Sequence, residues 1–418
     1  MAQKSKELIS DFQATGWKTP RLYERLFELT EQTHEIDSFA QEFLSAFKKS
    51  AAIFKDALSY VSRNQFAELI QQALAILAYE ENENAEDLIH SASLQFPELL
   101  RDHVSLIFEL QPNSGSYYAS YPWRNLTTNK ISQFKAALLD SGTSLDDRIF
   151  LFKCLLATRD FATVNFAVQY ACKSELFGEK EIGIRLTGDM ESVGFTVRNG
   201  TIERYCMNHV RHFTFPKNYF SADRPIHLNK DQHPTWNLRS DSRFAFGGIL
   251  DETTENIFVH LLTLDDSFSE SGVSGLSTVT FGVHLSELNE FHELFYQHNR
   301  GGQPNRIGAI NKPNNYEPFP IKSTLVGLAE TPDRWRIQDW ASSNSRENLF
   351  RLGGEPTWIQ NAEVPKCPLC GEKMNFLMQF DSELPDTEGG EVSFGSGGIC
   401  YAFWCDKDKI SGFLMQCT

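Results

Sequence analysis

The chain has 418 residues, 41% of them hydrophobic, which is enough apolar material for two ordinary cores. A formal net charge of −16 disfavours phosphate backbones as partners and favours basic proteins, so a nucleic-acid role is not expected. The opening MAQKSKELISDFQ carries no apolar run, and no window approaches the roughly 18 apolar residues of a membrane span, so a cytoplasmic protein without membrane contact is expected.

From Thr19 to Lys173 apolar residues recur at helical spacing, as in Leu22, Leu26 and Leu29, then Ile36, Phe39, Phe43 and Phe47, then Phe66, Leu69, Ile70, Ala73, Leu74 and Leu77. Breaks fall at Asn82–Asn84, at Pro97, across Pro112 to Pro122 and at Ser141-Gly142. The pattern predicts an all-helical domain over residues 1–176, a HEAT-like or irregular array, with a plain bundle as the alternative. The acidic run Tyr79–Asp87 reads as a solvated helix end more readily than as a docking surface. The aromatic loop Pro112–Trp123, with Tyr117, Tyr118, Tyr121 and Trp123, is compatible with a partner anchor or with folding back onto the array.

After Gly178 the period changes to two, in Ile182–Leu186 and in Val193–Val197, and Asn199-Gly200 between alternating runs is a strong hairpin signal. A mainly β domain is therefore predicted over residues 180–418, giving an α+β chain, with a knuckle module at 349–418. Further strands are predicted at Ile257–Leu264, Thr278–Val283, Leu325–Leu328, Asn375–Phe380 and Gly398–Trp404, and a short helix at Glu287–Tyr296.

Eight cysteines are present, and five of them lie between Cys367 and Cys417, a clustering that favours metal ligation over a disulfide framework. Cys367-Pro-Leu-Cys370-Gly places two thiolates close enough for one tetrahedral ion, and Gly371 permits the tight turn. Cys405 is the expected third ligand and Asp408 the fourth, with Cys417 as the alternative fourth, for a structural zinc ion. A metal-free, packed knuckle is the main alternative; catalytic zinc or a redox role comes last, since catalytic sites favour histidine and carboxylate ligands and the pair lacks a thioredoxin-like setting.

Cys206, His209 and His212, with His227 and His233, form a second conceivable cluster, but ordinary surface or core histidines explain them better. His292-Glu293 and His298 do not match a metalloprotease pattern, and no phosphate loop, dinucleotide fingerprint or nucleophile elbow occurs. The carboxylates Asp265 with Asp266, and Asp381 with Glu383, read as turn residues, so no catalytic residue is assigned. Arg334, Arg346, Glu347 and Asn348 form a polar stretch that suits an interaction surface or an internal polar clamp.

The blocks Arg346–Gln360, Pro365–Gly371, Met374–Ser382 and Gly397–Thr418 resemble the bacterial YwqG-like family, in a zinc-knuckle-bearing branch. The C-terminal module is also similar, more weakly, to that of the programmed cell death protein 2 family. In the first family a second Cys-x-x-Cys pair stands where this chain has Cys405 and Asp408. The resemblance implies a β-rich α+β domain without established enzymatic activity and, because some members are encoded beside polymorphic toxins, an immunity role. The expected function is then non-enzymatic protein binding, with a basic toxin domain as partner. The alternatives are an enzyme or enzyme-associated factor with a site between the domains, and a chaperone-like adaptor.

Overall fold

In a computed structural model the chain is described over residues 3–15, 20–110, 121–174, 176, 182–220, 233–251, 257–265, 272–290, 293–309, 319–343 and 346–418. It divides into two compact units. One comprises Met1–Leu186, Arg224–Pro234 and Asp333–Trp335; the other comprises Thr187–Asp223, Thr235–Pro332 and Arg336–Thr418.

The first unit is helical because its apolar stripes meet and its helix starts are capped. Ser62, Asn82, Thr127, Ser144 and Asp160 each accept the amide three residues on, so one orphan N–H of each following helix is satisfied. Phe43 packs against Phe12, Phe39, Phe47 and Phe54 at the centre of its first helices, with Phe54 stacked at 5.2 Å. Burying each such ring stabilises by about 1.5–3 kcal/mol. Arg63–Leu77 lies against Glu83–Gln95, and Thr128–Leu139 against Leu145–Ala157, so helices that follow one another in the chain pack as pairs.

The acidic run at Tyr79–Asp87 meets lysines of its own unit: Lys49 donates to Glu83 at 2.6 Å and Lys55 lies 3.5 Å from Asp87. Tyr117 and Tyr118 lie outside the described residues, whereas Trp123 is buried against Phe108, Phe134 and Phe150.

The second unit opens with a hairpin, β1 (Phe195–Arg198) and β2 (Thr201–Arg204), turned by Asn199 and Gly200 at φ of 49° and 75°. Positive φ at both turn positions matches the right-handed twist of the strands. There follow β3 (Met207–Thr214), β4 (Phe244–Phe246), β5 (Ile249–Asp251), β6 (Phe258–Asp265), β7 (Thr278–His284), β8 (Leu294–His298), β9 (Pro304–Arg306), β10 (Thr324–Glu330), β11 (Arg351–Gly354) and β12 (Asn375–Asp381). A small pair, β13 (Leu384–Pro385) and β14 (Glu391–Val392), precedes the final hairpin of β15 (Ile399–Cys405) and β16 (Ile410–Gln416).

Neighbours in the large antiparallel sheet run β5, β6, β4, β10, β3, β11, β12, β15, β16, β8, β9, and β7 pairs along the length of β6. The sheet curls into a half-barrel whose ends meet at one point. There Thr280 N–H of β7 donates to the Gly302 carbonyl at 2.9 Å, and Gln303 Nε2 donates to Thr280 Oγ1 at 3.3 Å. Its concave core holds Phe213, Phe281, Tyr296, Phe380, Trp404 and Phe413. Tyr401, Phe403 and Leu414 on the other face of β15 and β16 pack with Tyr205, Trp358 and Phe376 in a second core.

Two local expectations are corrected. Ile182–Glu191 is a helix, not a strand, because Leu186 and Met190, four residues apart, bury one helical face that a five-residue window could not reveal. Glu287–Tyr296 is not one helix: Leu285–Leu288 makes a single turn and β8 follows. Leu294, Tyr296 and His298 point inward there while β16 supplies the ladder.

The seam makes a demand on Gly302. Its φ is +73°, and a Cβ there would stand 1.8 Å from the Thr278 carbonyl oxygen. Gly302→Val is expected to cost roughly 2–5 kcal/mol through left-handed strain and forced opening of the seam. Urea unfolding followed by tryptophan fluorescence checks this; an unchanged midpoint would show that the seam closes nothing.

Candidate metal centre

The knuckle is a short excursion between Pro365 and Met374. Lys366 and Lys373 pair across its base, Cys367 N–H donates to Glu372 O at 2.8 Å, and Gly371 N–H returns to Cys367 O at 2.9 Å. Gly371 takes φ of +75° with nothing within 4 Å of where a Cβ would lie, so it is chosen for the turn and not for a close approach.

The base is clamped from the β1–β2 hairpin. Arg198 donates to Lys373 O at 2.7 Å, Met374 O at 3.1 Å and Asn375 Oδ1 at 2.6 Å. Buried Glu191 pairs with Lys373 at 2.9 Å and accepts from Thr196 Oγ1 and from Val364 N–H.

The other half of the cluster sits where β15 turns into β16. Cys405 ends β15, and Asp406 organises the turn by accepting from Ser274 N–H at 2.9 Å, Ser274 Oγ at 2.6 Å, Trp404 Nε1 at 3.0 Å and Lys409 Nζ at 2.8 Å. Partial burial alone would raise Asp406, but these donors outweigh it and bring the carboxyl down to about 2. Asp408 then faces the knuckle.

One ligating atom from each of Cys367, Cys370, Cys405 and Asp408 lies within 4.8 Å of all the others, so the four could hold a metal ion. Cys370 Sγ is 3.8 Å from Cys405 Sγ, while Asp408 Oδ2 is 3.2 Å from Cys367 Sγ and 3.5 Å from Cys405 Sγ. A tetrahedral ion with metal–sulfur bonds of about 2.3 Å and a metal–oxygen bond of about 2.0 Å sets sulfurs about 3.8 Å apart and sulfur and oxygen about 3.5 Å apart. The donor set therefore fits one tetrahedral ion.

The backbone amides of Cys370 and Leu369 favour the thiolate form of Cys367, and that of Asp408 favours the thiolate form of Cys405. Burial holds both thiols above the ordinary value, whereas hydrogen bonds from Cys370 and then Cys367 hold the Asp408 carboxyl below its own. A bound cation would reverse this for the sulfurs, since coordination deprotonates a thiol.

Cys417 stands at the far end of β16 from the turn, against Gly395 and Gly398, and does not belong to the cluster. Among the described residues no other group of three or more histidines, cysteines or acids is placed to hold an ion. His209 is exposed while His212 is fully buried, as expected for residues three apart on a strand; Cys206 is buried, and His227 lies outside the described residues. His233 packs in the helical unit with Tyr60 and Trp335. Asp266 and His292 are also outside the described residues.

The polar stretch is divided. Arg334 belongs to the helical unit, donating to Gln95 Oε1 at 2.6 Å and Leu58 O at 2.8 Å and lying over Phe96 and Trp335. In the β unit, the carbonyl of Arg346 accepts from Trp236 Nε1, buried Glu347 accepts from Gln338 Nε2 at 2.7 Å, and buried Asn348 bonds Thr235, Phe213 O and Phe350 N–H. Glu347 and Asn348 thus form an internal clamp.

Sequence reasoning passed over three members of this polar framework: Arg351, Glu191 and Asp406. Arg351 is buried and donates to Arg336 O, Glu355 O, Thr357 Oγ1 and Gln379 Oε1, with burial pulling its guanidinium down to about 10. No spacing in the sequence marks any of the three, because each also draws partners from distant segments: Gln379 for Arg351, Lys373 and Val364 for Glu191, and Ser274 for Asp406.

The class that fold and site define is an α+β protein with a helical N-terminal region, a half-barrel sheet and a Cys3Asp cluster able to hold a metal ion. No family model matches the chain, and no solved structure matches it. It is 35% identical over 68 residues to the uncharacterized protein YpfL of Salmonella typhimurium, covering 16% of this chain and 15% of that protein. It is 34% identical over 65 residues to programmed cell death protein 2 of Bos taurus, covering 14% of this chain and 17% of that protein. The chain thus spans less than a fifth of the length of either curated relative.

The buried histidines carry a pH dependence. Gln338 Nε2 donates to Glu347 and to Asn348 O, so its Oε1 must accept from His212 Nε2–H at 3.1 Å, leaving Nδ1 to accept from the Thr331 hydroxyl at 2.8 Å. That network suits a neutral ring, and burial lowers His212 to about 3; it also lowers His298, which bonds Ser411 and Gly302 O, to about 4. The unfolded chain protonates both below about pH 6.5 while the native state does not. Their stability is full above that value and falls with acidification by about 1.4 kcal/mol per pH unit for each ring. Urea unfolding at about pH 7 and about pH 5 tests this, and a flat profile would count against the neutral network.

Proposed function

We propose that this chain is a non-enzymatic protein-binding protein whose β-rich unit is locked by a structural zinc ion held by Cys367, Cys370, Cys405 and Asp408. The observation that carries the zinc reading is the donor set: four protein ligand atoms lie within 4.8 Å of one another, and the Cys370–Cys405 and Cys405–Asp408 separations are those of a tetrahedral ion. Three sulfurs and one carboxylate suit zinc among divalent ions, and the backbone amides beside Cys367 and Cys405 favour their thiolate forms.

The binding reading is supported by charge. A net −16 steers basic partners and raises their association rate, which fits an immunity protein that occludes a basic toxin domain, as the YwqG-like resemblance suggests. The apolar Leu369 at the knuckle tip, 58% exposed, offers a contact of the sort that interfaces bury.

Protein purified without chelator or affinity-tag metal is expected to carry about one zinc ion per chain. Chelation should lower the unfolding midpoint of the β unit, and Cys405→Ser should lose the metal; substoichiometric zinc with stability indifferent to chelation would reject the structural ion. Separately, the protein should bind and protect against a basic toxin encoded beside its gene. No stable partner in pull-down, together with no protection on co-expression, would sink the binding reading.

A further inference from the structure

We infer that the cluster is also a redox-gated site, in which a peroxide joins Cys370 to Cys405 and so expels the ion; this rests on the zinc reading above. The four ligands are not equally placed. Cys367 and Cys405 are 1% and 9% exposed, whereas Cys370 is only partly covered and follows the exposed Leu369 at the tip of the knuckle. An oxidant approaching from solvent reaches Cys370 first.

Its partner comes from the opposite arm of the cluster. Cys405 Sγ is 3.8 Å away, so closing to a disulfide bond of about 2.05 Å needs a shift of under about 2 Å. Cys367 Sγ lies 3.2 Å from Asp408 Oδ2. Gly371, in a left-handed turn with open space around it, leaves the tip free to give by that amount, while Cys405 is fixed at the end of a ladder strand.

The chemistry balances without a further reactant. The Cys370 thiolate attacks one peroxide oxygen, an S–O bond forms, the O–O bond breaks, and hydroxide leaves as water after taking a proton. The Cys405 thiolate then attacks the Cys370 sulfur, an S–S bond forms, the S–O bond breaks and a second hydroxide leaves as water. Two electrons pass from the sulfurs to one peroxide. The ion is left with Cys367 and Asp408 alone, and two ligands do not hold structural zinc.

The test uses the full chain loaded with zinc and treated with hydrogen peroxide, following released zinc with a chromogenic chelator and mapping cysteines by alkylation and mass spectrometry. Zinc release in step with loss of two thiols, a Cys370–Cys405 cross-linked peptide, and recovery on reduction with added zinc are expected. Buried Cys154 and Cys400 should stay reduced, and exposed Cys172 should form no internal cross-link. In Cys405→Ser, dimedone should trap a sulfenic acid at Cys370; should that variant not fold, the mapping of the unaltered chain decides. Zinc retained under peroxide, or a Cys367–Cys370 cross-link as the main product, overturns the redox inference and leaves the structural ion standing. A chain that carries no zinc before treatment overturns the zinc reading itself, and the gating with it.

Discussion

The β unit depends on one constraint: the final hairpin is buried on both faces. Every residue of Ile399–Cys405 and Ile410–Gln416 is withdrawn from solvent. Cys400, Ala402, Trp404, Phe413 and Met415 face the concave core, while Tyr401, Phe403, Ile410 and Leu414 face the outer one. A single-residue slip would exchange the two sets, and because each core is shaped for its own side chains, the register has no near competitor. Seven paired positions, from Ile399 with Gln416 to Cys405 with Ile410, are held in this way.

That register places the candidate site. With Cys405 at the last rung, the turn must project Asp406 one way and Asp408 the other, so Asp406 collects Ser274, Trp404 and Lys409 while Asp408 meets the sulfurs. The knuckle arrives at the same place for a different reason. Its base is gripped by Arg198 and Glu191, residues of the first hairpin and of the helix before it, which reach Lys373 and Met374 across a long stretch of chain. A metal ion here would therefore join two pieces already positioned by packing. It would add cohesion to a preformed arrangement more than it would create the fold, unlike the smallest zinc modules.

How much of this the sequence displays follows from the range of the forces involved. Helix caps at Asn82, Ser144 and Asp160, the Asn199-Gly200 turn and the long strands announce themselves because their determinants lie within a few residues. The Cys-x-x-Cys pair is visible for the same reason. Leu294–His298 is obscured, since its alternation covers five residues after Glu287, Glu290 and Glu293, which keep a helical spacing, and only β16 makes it a strand. The choice between Asp408 and Cys417 is equally hidden: both follow Cys405 in the chain, and only the length of the β16 ladder carries Cys417 away from the knuckle. Arg351 is the extreme case, a buried cation whose acceptors Arg336 O and Gln379 Oε1 come from separate segments.

The presence of a carboxylate at position 408, where a fourth thiolate would give a more uniform site, follows from solvation. The two most buried donors are sulfurs, and backbone amides favour the thiolate form of each: those of Cys370 and Leu369 for Cys367, and that of Asp408 for Cys405. A thiolate is large and weakly hydrated, so a few amides can replace the water it loses. A carboxylate is compact and strongly hydrated, and at the same depth it would be far costlier to desolvate. Asp408 instead lies at the rim, only partly covered, where one oxygen can face the sulfurs and the other stay wet. The donor types thus follow the gradient of burial across the cluster. A carboxylate there keeps part of its hydration, which a position as deep as Cys367 or Cys405 would take away.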